Sequence, residues 1–142
     1  MDVRQIVLVM AGAALLLAAG SKSVWDGVYT EQQAKRGQPL YREHCEDCHG
    51  EELEGDAEAP PLSGGEFLIN WDGQALGSLY LRIHRDMPLN KDAGRLSPSV
   101  SADLLAFILS VNHFPPGRTE LPPRAEVLNE IRFESAKPDQ KR

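Results

Sequence analysis

The sequence predicts an all-α fold, with a few short helices packed around one covalently held group. Three observations carry that prediction. Apolar residues recur at helical spacing in several segments, and no stretch of useful length alternates apolar and polar residues as a half-buried strand would. Residues 45–49 read Cys45-Glu46-Asp47-Cys48-His49. The chain has 142 residues, enough for one small domain once roughly twenty N-terminal residues are set aside as a leader. A core of that size is modest, and a large apolar prosthetic body would supplement it.

Cys-x-x-Cys-His is the attachment pattern of a c-type haem. Each thiol can add across one porphyrin vinyl group to form a thioether, and a two-residue gap lets one turn of backbone reach both vinyls. His49 then offers an imidazole nitrogen to the iron as proximal ligand. The chain has 2 Cys, and the motif uses both. Other readings of the pair are weaker. A dithiol redox pair does not need the trailing histidine, and no βαβ pattern surrounds it. A zinc site needs about four ligands, and no second Cys/His cluster follows at finger-like spacing. A structural disulfide or a chance match is the remaining option.

Ahead of the motif, Ile6 to Gly20 form an uninterrupted apolar run flanked by Arg4 and Lys22. At about 15 residues it is shorter than a comfortable membrane span of about 20, which favours a secretory signal peptide within residues 1–23. Small residues suited to cleavage stand at Ala18 and Gly20 and again at Ser21 and Ser23. Asp2 weakens the positive N-terminal region, so an uncleaved anchor is the second reading. Both place the domain outside the cytoplasm, in the periplasm of a bacterium, where haem c is matured.

The elements follow in order. Thr30 to His44 reads as a helix with Thr30 as N-cap and Gln33 three residues on, as in a capping box; Pro39 is its weak point. Gly50 to Asp56 and Ala59 to Gly65 are rich in Gly, Pro and acids and read as loop. Leu76 to Arg85 places Leu76, Leu79, Tyr80 and Ile83 at helical spacing. Asn90 to Pro98 is loop. Ser101 begins an amphipathic helix ending near Asn112, with Ser101 as N-cap and Asp103 in its first turn. The domain proper is 24–114, and 115–142 form a C-terminal extension. Pro115 to Pro123 is Pro-rich, Ala125 to Ile131 forms a last helix, and the polar tail from Ser135 is disordered. The extension either straps back onto the domain or binds a partner.

Net charge is −6, and −7 for a mature chain starting at Val24, which loses Asp2, Arg4 and Lys22. That balance argues against nucleic acid, whose binding needs positive charge. It suits a basic partner surface and a fast, salt-sensitive encounter, or solubility alone.

The other face of the haem needs its own ligand if the protein only moves electrons. Of 3 Met, Met1 and Met10 lie before or within the leader, which leaves Met87. It stands in Arg85-Asp86-Met87-Pro88, past the end of the predicted helix, where a loop can bring the thioether over the iron. His84 is the rival ligand, or a partly buried helix residue. His44 lies near the haem edge or solvent, and His113 on the surface.

Taken together, a helix running into Cys45-Glu46-Asp47-Cys48-His49-Gly50, a following Pro-x-Leu, the pair Met87-Pro88 and a C-terminal helix resemble the single-haem, His/Met-ligated cytochrome c family. The resemblance covers Thr30 to Asn112 and implies a small cytochrome c-like fold. It also implies that the Pro60 carbonyl accepts the Nδ1–H of His49, which orients the imidazole and raises its basicity. Ala59 departs mildly from the Gly often found there. The stretches Phe67-Leu68-x-x-Trp71 and Leu121-Pro122 are similar to the cytochrome c partners or domains of periplasmic quinoprotein dehydrogenases. That similarity implies a bond from Trp71 to a haem propionate; an ordinary core or rim aromatic is the other reading.

An iron filled by His49 and Met87 has no vacant site for a substrate, so one haem c and these ligands imply electron transfer rather than catalysis. The expectation is an exported mono-haem cytochrome c that takes electrons from a periplasmic dehydrogenase and passes them toward a terminal oxidase. A five-coordinate haem enzyme or sensor is the first alternative. A fixed electron-transfer subunit of a dehydrogenase complex is the second.

Overall fold

The structure, a computed structural model, describes residues 22–90 and 92–140. The apolar run at 6–20 lies outside them. Among the described residues no helix is long and apolar enough to cross a membrane. The body is helical, with one two-residue parallel pairing: β1 (Lys22–Ser23), α1 (Glu31–His44), α2 (Glu46–His49), α3 (Gly64–Trp71), α4 (Leu76–Leu81) running into a π turn (Arg82–Asp86), α5 (Pro98–Val111), α6 (Ala125–Leu128) and β2 (Ile131–Arg132).

Helix α1 starts where the sequence placed it, with the Thr30 hydroxyl accepting from the Gln33 N–H at 3.1 Å. The capping box is not closed, however. The Gln33 side chain is buried and turns to the C-terminal segment, donating to the Leu121 carbonyl at 3.1 Å and accepting from the Leu121 N–H at 2.8 Å. Pro39 lies inside α1 without ending it. It is exposed, as is Lys35 one turn earlier, so the carbonyl it frees faces water.

Helix α5 begins three residues before the expected start. Ser97, not Ser101, is the N-cap, accepting from the Val100 N–H at 3.2 Å, and Pro98 fills the first helical position, where a missing N–H costs nothing. Ser101 is buried one turn in, donating to the Ser97 carbonyl at 3.0 Å. Helices α1 and α5 pack closely because Gly37 has no side chain; a Cβ there would strike the Asp103 carbonyl and Phe107.

Three local expectations are corrected. Gly64 and Gly65, read as loop, are the first residues of α3. The helix forms because Phe67 is buried in the core and the Gly64 N–H donates to the Asn112 side chain at 3.1 Å, a tertiary gain that overrides poor propensity. The last helix stops at Leu128, and Ile131–Arg132 pair instead with Lys22–Ser23. A strand of two residues is too short to show as alternation. The tail from Ser135, expected to be disordered, opens with a bond from the Ser135 N–H to Asp72 at 2.7 Å and holds a 3₁₀ turn over Pro138–Gln140.

The segment after α5 straps back onto the body. Leu121, Leu128 and Phe133 join Phe67, Leu76, Leu104, Leu105 and Leu109 in the fully buried core. Polar ties reinforce the strap: Tyr29 O–H to the Phe114 carbonyl at 2.6 Å, Tyr80 O–H to the Pro123 carbonyl at 3.1 Å, and the Trp25 indole N–H to the Glu134 carbonyl at 2.9 Å.

Candidate haem-attachment site

Helix α1 ends at His44, and Cys45 caps both α1 and the single turn α2. Its N–H donates to the Tyr41 carbonyl at 2.8 Å, and its own carbonyl accepts from the His49 N–H at 2.9 Å. Cys45 and Cys48 therefore stand three residues apart on one helical turn, a spacing that puts side chains on the same side. Both are free thiols, Cys45 half-buried and Cys48 exposed. Burial, with Cys48 as a lesser cause, pushes the Cys45 thiol up to about 11, so it is protonated at neutral pH. Among the described residues no three His, Cys, Asp or Glu side chains cluster as a metal site.

His49 is buried, and its Nδ1 lies 2.8 Å from the Pro60 carbonyl oxygen. A carbonyl only accepts, so Nδ1 carries the hydrogen, and in the neutral imidazole Nε2 keeps a lone pair. Two unpaired thiols on one turn and an imidazole with Nε2 left for a metal fit the requirements of a c-type haem.

The loop that returns Pro60 to His49 is tied at several points. Gly50 leaves the helix at φ +84°, and its carbonyl accepts from the buried Tyr41 hydroxyl at 2.7 Å. The Gly55 N–H donates to the His49 carbonyl at 2.7 Å, and the Leu62 N–H to the Leu53 carbonyl at 2.9 Å. At the C-terminus of α5 the buried Asn112 amide donates to the carbonyls of Leu62 and Ile108, each at 2.9 Å. Sequence reasoning missed Tyr41 and Asn112 because each acts on a backbone group, which leaves no pairwise pattern in the sequence.

The remaining predicted residues come from other elements. Met87 follows the π turn with extended backbone, half-buried, and its peptide bond to Pro88 is cis. The π turn itself was read as ordinary helix; such turns are frequent at functional sites. His84, on that turn, stacks on Tyr80 with ring centroids 5.6 Å apart, and its Nδ1 lies 3.1 Å from the Ser101 hydroxyl. That hydroxyl already donates to Ser97, so His84 Nδ1 is the donor. Trp71 ends α3, half-buried, with its ring 6.5 Å from Phe67. His44 is half-buried with Nε2 3.9 Å from Glu43, and His113 is exposed.

No curated protein matches the sequence. Among solved structures, the sulfane dehydrogenase SoxCD from Paracoccus pantotrophus aligns with a TM-score of 0.50 at 22% identity, a likeness of fold. The alignment covers 82% of this chain and 66% of that chain, just under two thirds of the relative's length. A family model described as cytochrome c oxidase, cbb3-type, subunit III matches residues 32–108, more than half of the chain. Cytochrome c domains hold haem covalently and serve electron transfer. The match runs from α1 through the Cys45–His49 turn and Met87 into α5, so the chain belongs to the cytochrome c family described as cytochrome c oxidase, cbb3-type, subunit III.

Proposed function

We propose that this protein is an exported cytochrome c carrying a single haem, attached through Cys45 and Cys48 and ligated by His49 and Met87. It passes single electrons from a periplasmic dehydrogenase toward a terminal oxidase and catalyses no reaction of its own. The observation that carries the proposal is the 2.8 Å contact between His49 Nδ1 and the Pro60 carbonyl beside two free thiols.

When bound, the haem supplies a one-electron Fe(II)/Fe(III) couple. The protein supplies the rest. Pro60 fixes the His49 ring and makes Nε2 a better donor. Met87 offers a soft thioether, which favours Fe(II) and raises the potential. Its position at the end of the π turn gives it a backbone free of helical geometry. His84 is held by Ser101 and Tyr80 within the helical packing, which supports Met87 over His84 as the second ligand. Trp71 is the proposed propionate partner. The loop after the motif carries exposed Glu51, Glu52, Glu54, Asp56 and Glu58, so a partner with a basic face would be drawn to this side.

The test is spectroscopic. The ferrous wild type should not change at once on adding CO, whereas Met87→Ala should bind CO readily and show a lower potential. Immediate CO binding by the wild type would favour a five-coordinate enzyme or sensor. An unchanged spectrum and potential in Met87→Ala would shift the assignment to His84. Anaerobic mixing with candidate dehydrogenases, following haem reduction, identifies the donor, and cell fractionation tests export.

A further inference from the structure

The Pro60 carbonyl meets His49 only if the loop between Gly50 and Ser63 holds one shape, and the loop has no helix or strand of its own. Backbone bonds alone cannot hold its far end, because Pro60 and Pro61 have no N–H to give. The turn that presents Pro60 is organised by Asp56 instead. Its Oδ1 accepts from the N–H of Glu58 at 2.7 Å and of Ala59 at 2.8 Å, while its own N–H donates to the Ala59 carbonyl at 2.8 Å. The residue before it, Gly55, is tied to the His49 carbonyl at 2.7 Å. At φ +69° Gly55 folds back so tightly that a Cβ would run into Ala59, Pro60 and Pro61. One end of this turn is therefore bonded to the backbone of His49, and the other ends in the carbonyl that takes the His49 ring proton.

We propose that Asp56 is a positioning residue for His49: its carboxylate sets the turn that holds the Pro60 carbonyl on the imidazole, and so tunes the basicity of the iron ligand. This rests on the reading of His49 as that ligand. The two N–H bonds, from Ala59 first and Glu58 second, also hold the Asp56 carboxyl below its ordinary range, so at neutral pH it is the ionised, stronger acceptor. The carboxylate is exposed, so trimming it leaves the core alone. The other side-chain clamps on the loop, Tyr41 on Gly50, Glu54 on Glu52, Ser63 on Glu52 and Leu53, and Asn112 on Leu62 and Gly64, bond backbone outside the Asp56–Pro60 turn and leave that turn to Asp56.

The experiment compares Asp56→Ala and Asp56→Asn with the wild-type holoprotein. The readouts are solvent exchange of the His49 Nδ1–H by NMR and the haem reduction potential. Both variants remove a negative charge, but Asn keeps an acceptor oxygen, so the difference between them isolates positioning from charge. Asp56→Ala should speed Nδ1–H exchange clearly above wild type, because the Pro60 carbonyl is then held less firmly on the ring. It should also raise the potential beyond Asp56→Asn, because a less basic imidazole stabilises Fe(III) less. Asp56→Asn should restore most of the protection. Equal potentials in the two variants, with wild-type exchange in both, would overturn the proposal while leaving His49 ligation standing. Absence of haem-shifted His49 ring signals in the wild type would overturn both readings together.

Discussion

Gln33 shows how much one side chain can join. Both ends of its amide are bonded to the backbone of Leu121, 88 residues away, in a site only 2% exposed. Replacing Gln33 by Ala leaves a buried N–H and a buried carbonyl unpaired, and each such loss costs about 1–3 kcal/mol. We expect Gln33→Ala to lower the denaturant midpoint accordingly without changing the haem spectrum. The site divides along similar lines. The proposed attachment residues Cys45, Cys48 and His49 stand out in sequence because thioether chemistry would fix their spacing within one turn. Pro60 is reached only through family resemblance. Asp56 and Asn112 are not legible, since each acts on backbone groups that any residue could supply.

At the scale of elements, α1 and α5 form the frame against which the motif turn is built. Their closest approach is at Gly37. Gly37→Ala should raise helix propensity yet destabilise the protein by about 1–3 kcal/mol, the usual range for overpacking, because the methyl meets backbone that cannot rotate away. Thermal unfolding decides: a net gain in midpoint would show that the helices separate freely. Existence and type of α1, α4 and α5 were readable from apolar spacing. The starts of α1, after the Thr30 cap, and of α4, at Leu76, and the end of α1 at His44 were readable as well, whereas the start of α5 was not. The start of α5 was misplaced because Ser97 and Ser101 are equally good caps as sequence, and what separates them is the burial of Ser101 between Ser97 and His84. Helix α3 was hidden because its stability comes from Phe67 and Asn112 rather than from its own glycine-led turn.

Across the whole molecule, Arg36 links α1, α5 and the strap, bonding Asp103 at 3.0 Å and Glu120 at 2.9 Å. The bonds from Arg36 hold the Glu120 carboxyl below its ordinary range. A depressed folded value means the tie is fully present above the unfolded carboxylate value and is lost as pH falls through the folded one. Arg36 and Glu120 are exposed and Asp103 is half-buried, so salt weakens the Arg36–Glu120 tie as well. We expect the strap to loosen in acid, and in salt, before the α1–α5 frame does. Hydrogen exchange at the Leu121 N–H should rise ahead of exchange in α5; simultaneous loss would mean the strap and frame unfold as one unit.

The pairing of β1 with β2 bears on the order in which the body can be completed. Trp25 and Glu134, bonded beside that pairing, are 109 residues apart in sequence. In a chain that crosses a membrane N-terminus first, β1 and the Cys45–His49 turn emerge long before β2 exists on the far side. The pairing that closes the molecule is thus among the last contacts such a chain can make. In such a chain the two thiols would stand, until then, on a body that has not sealed, open to the bulky porphyrin of the proposed haem.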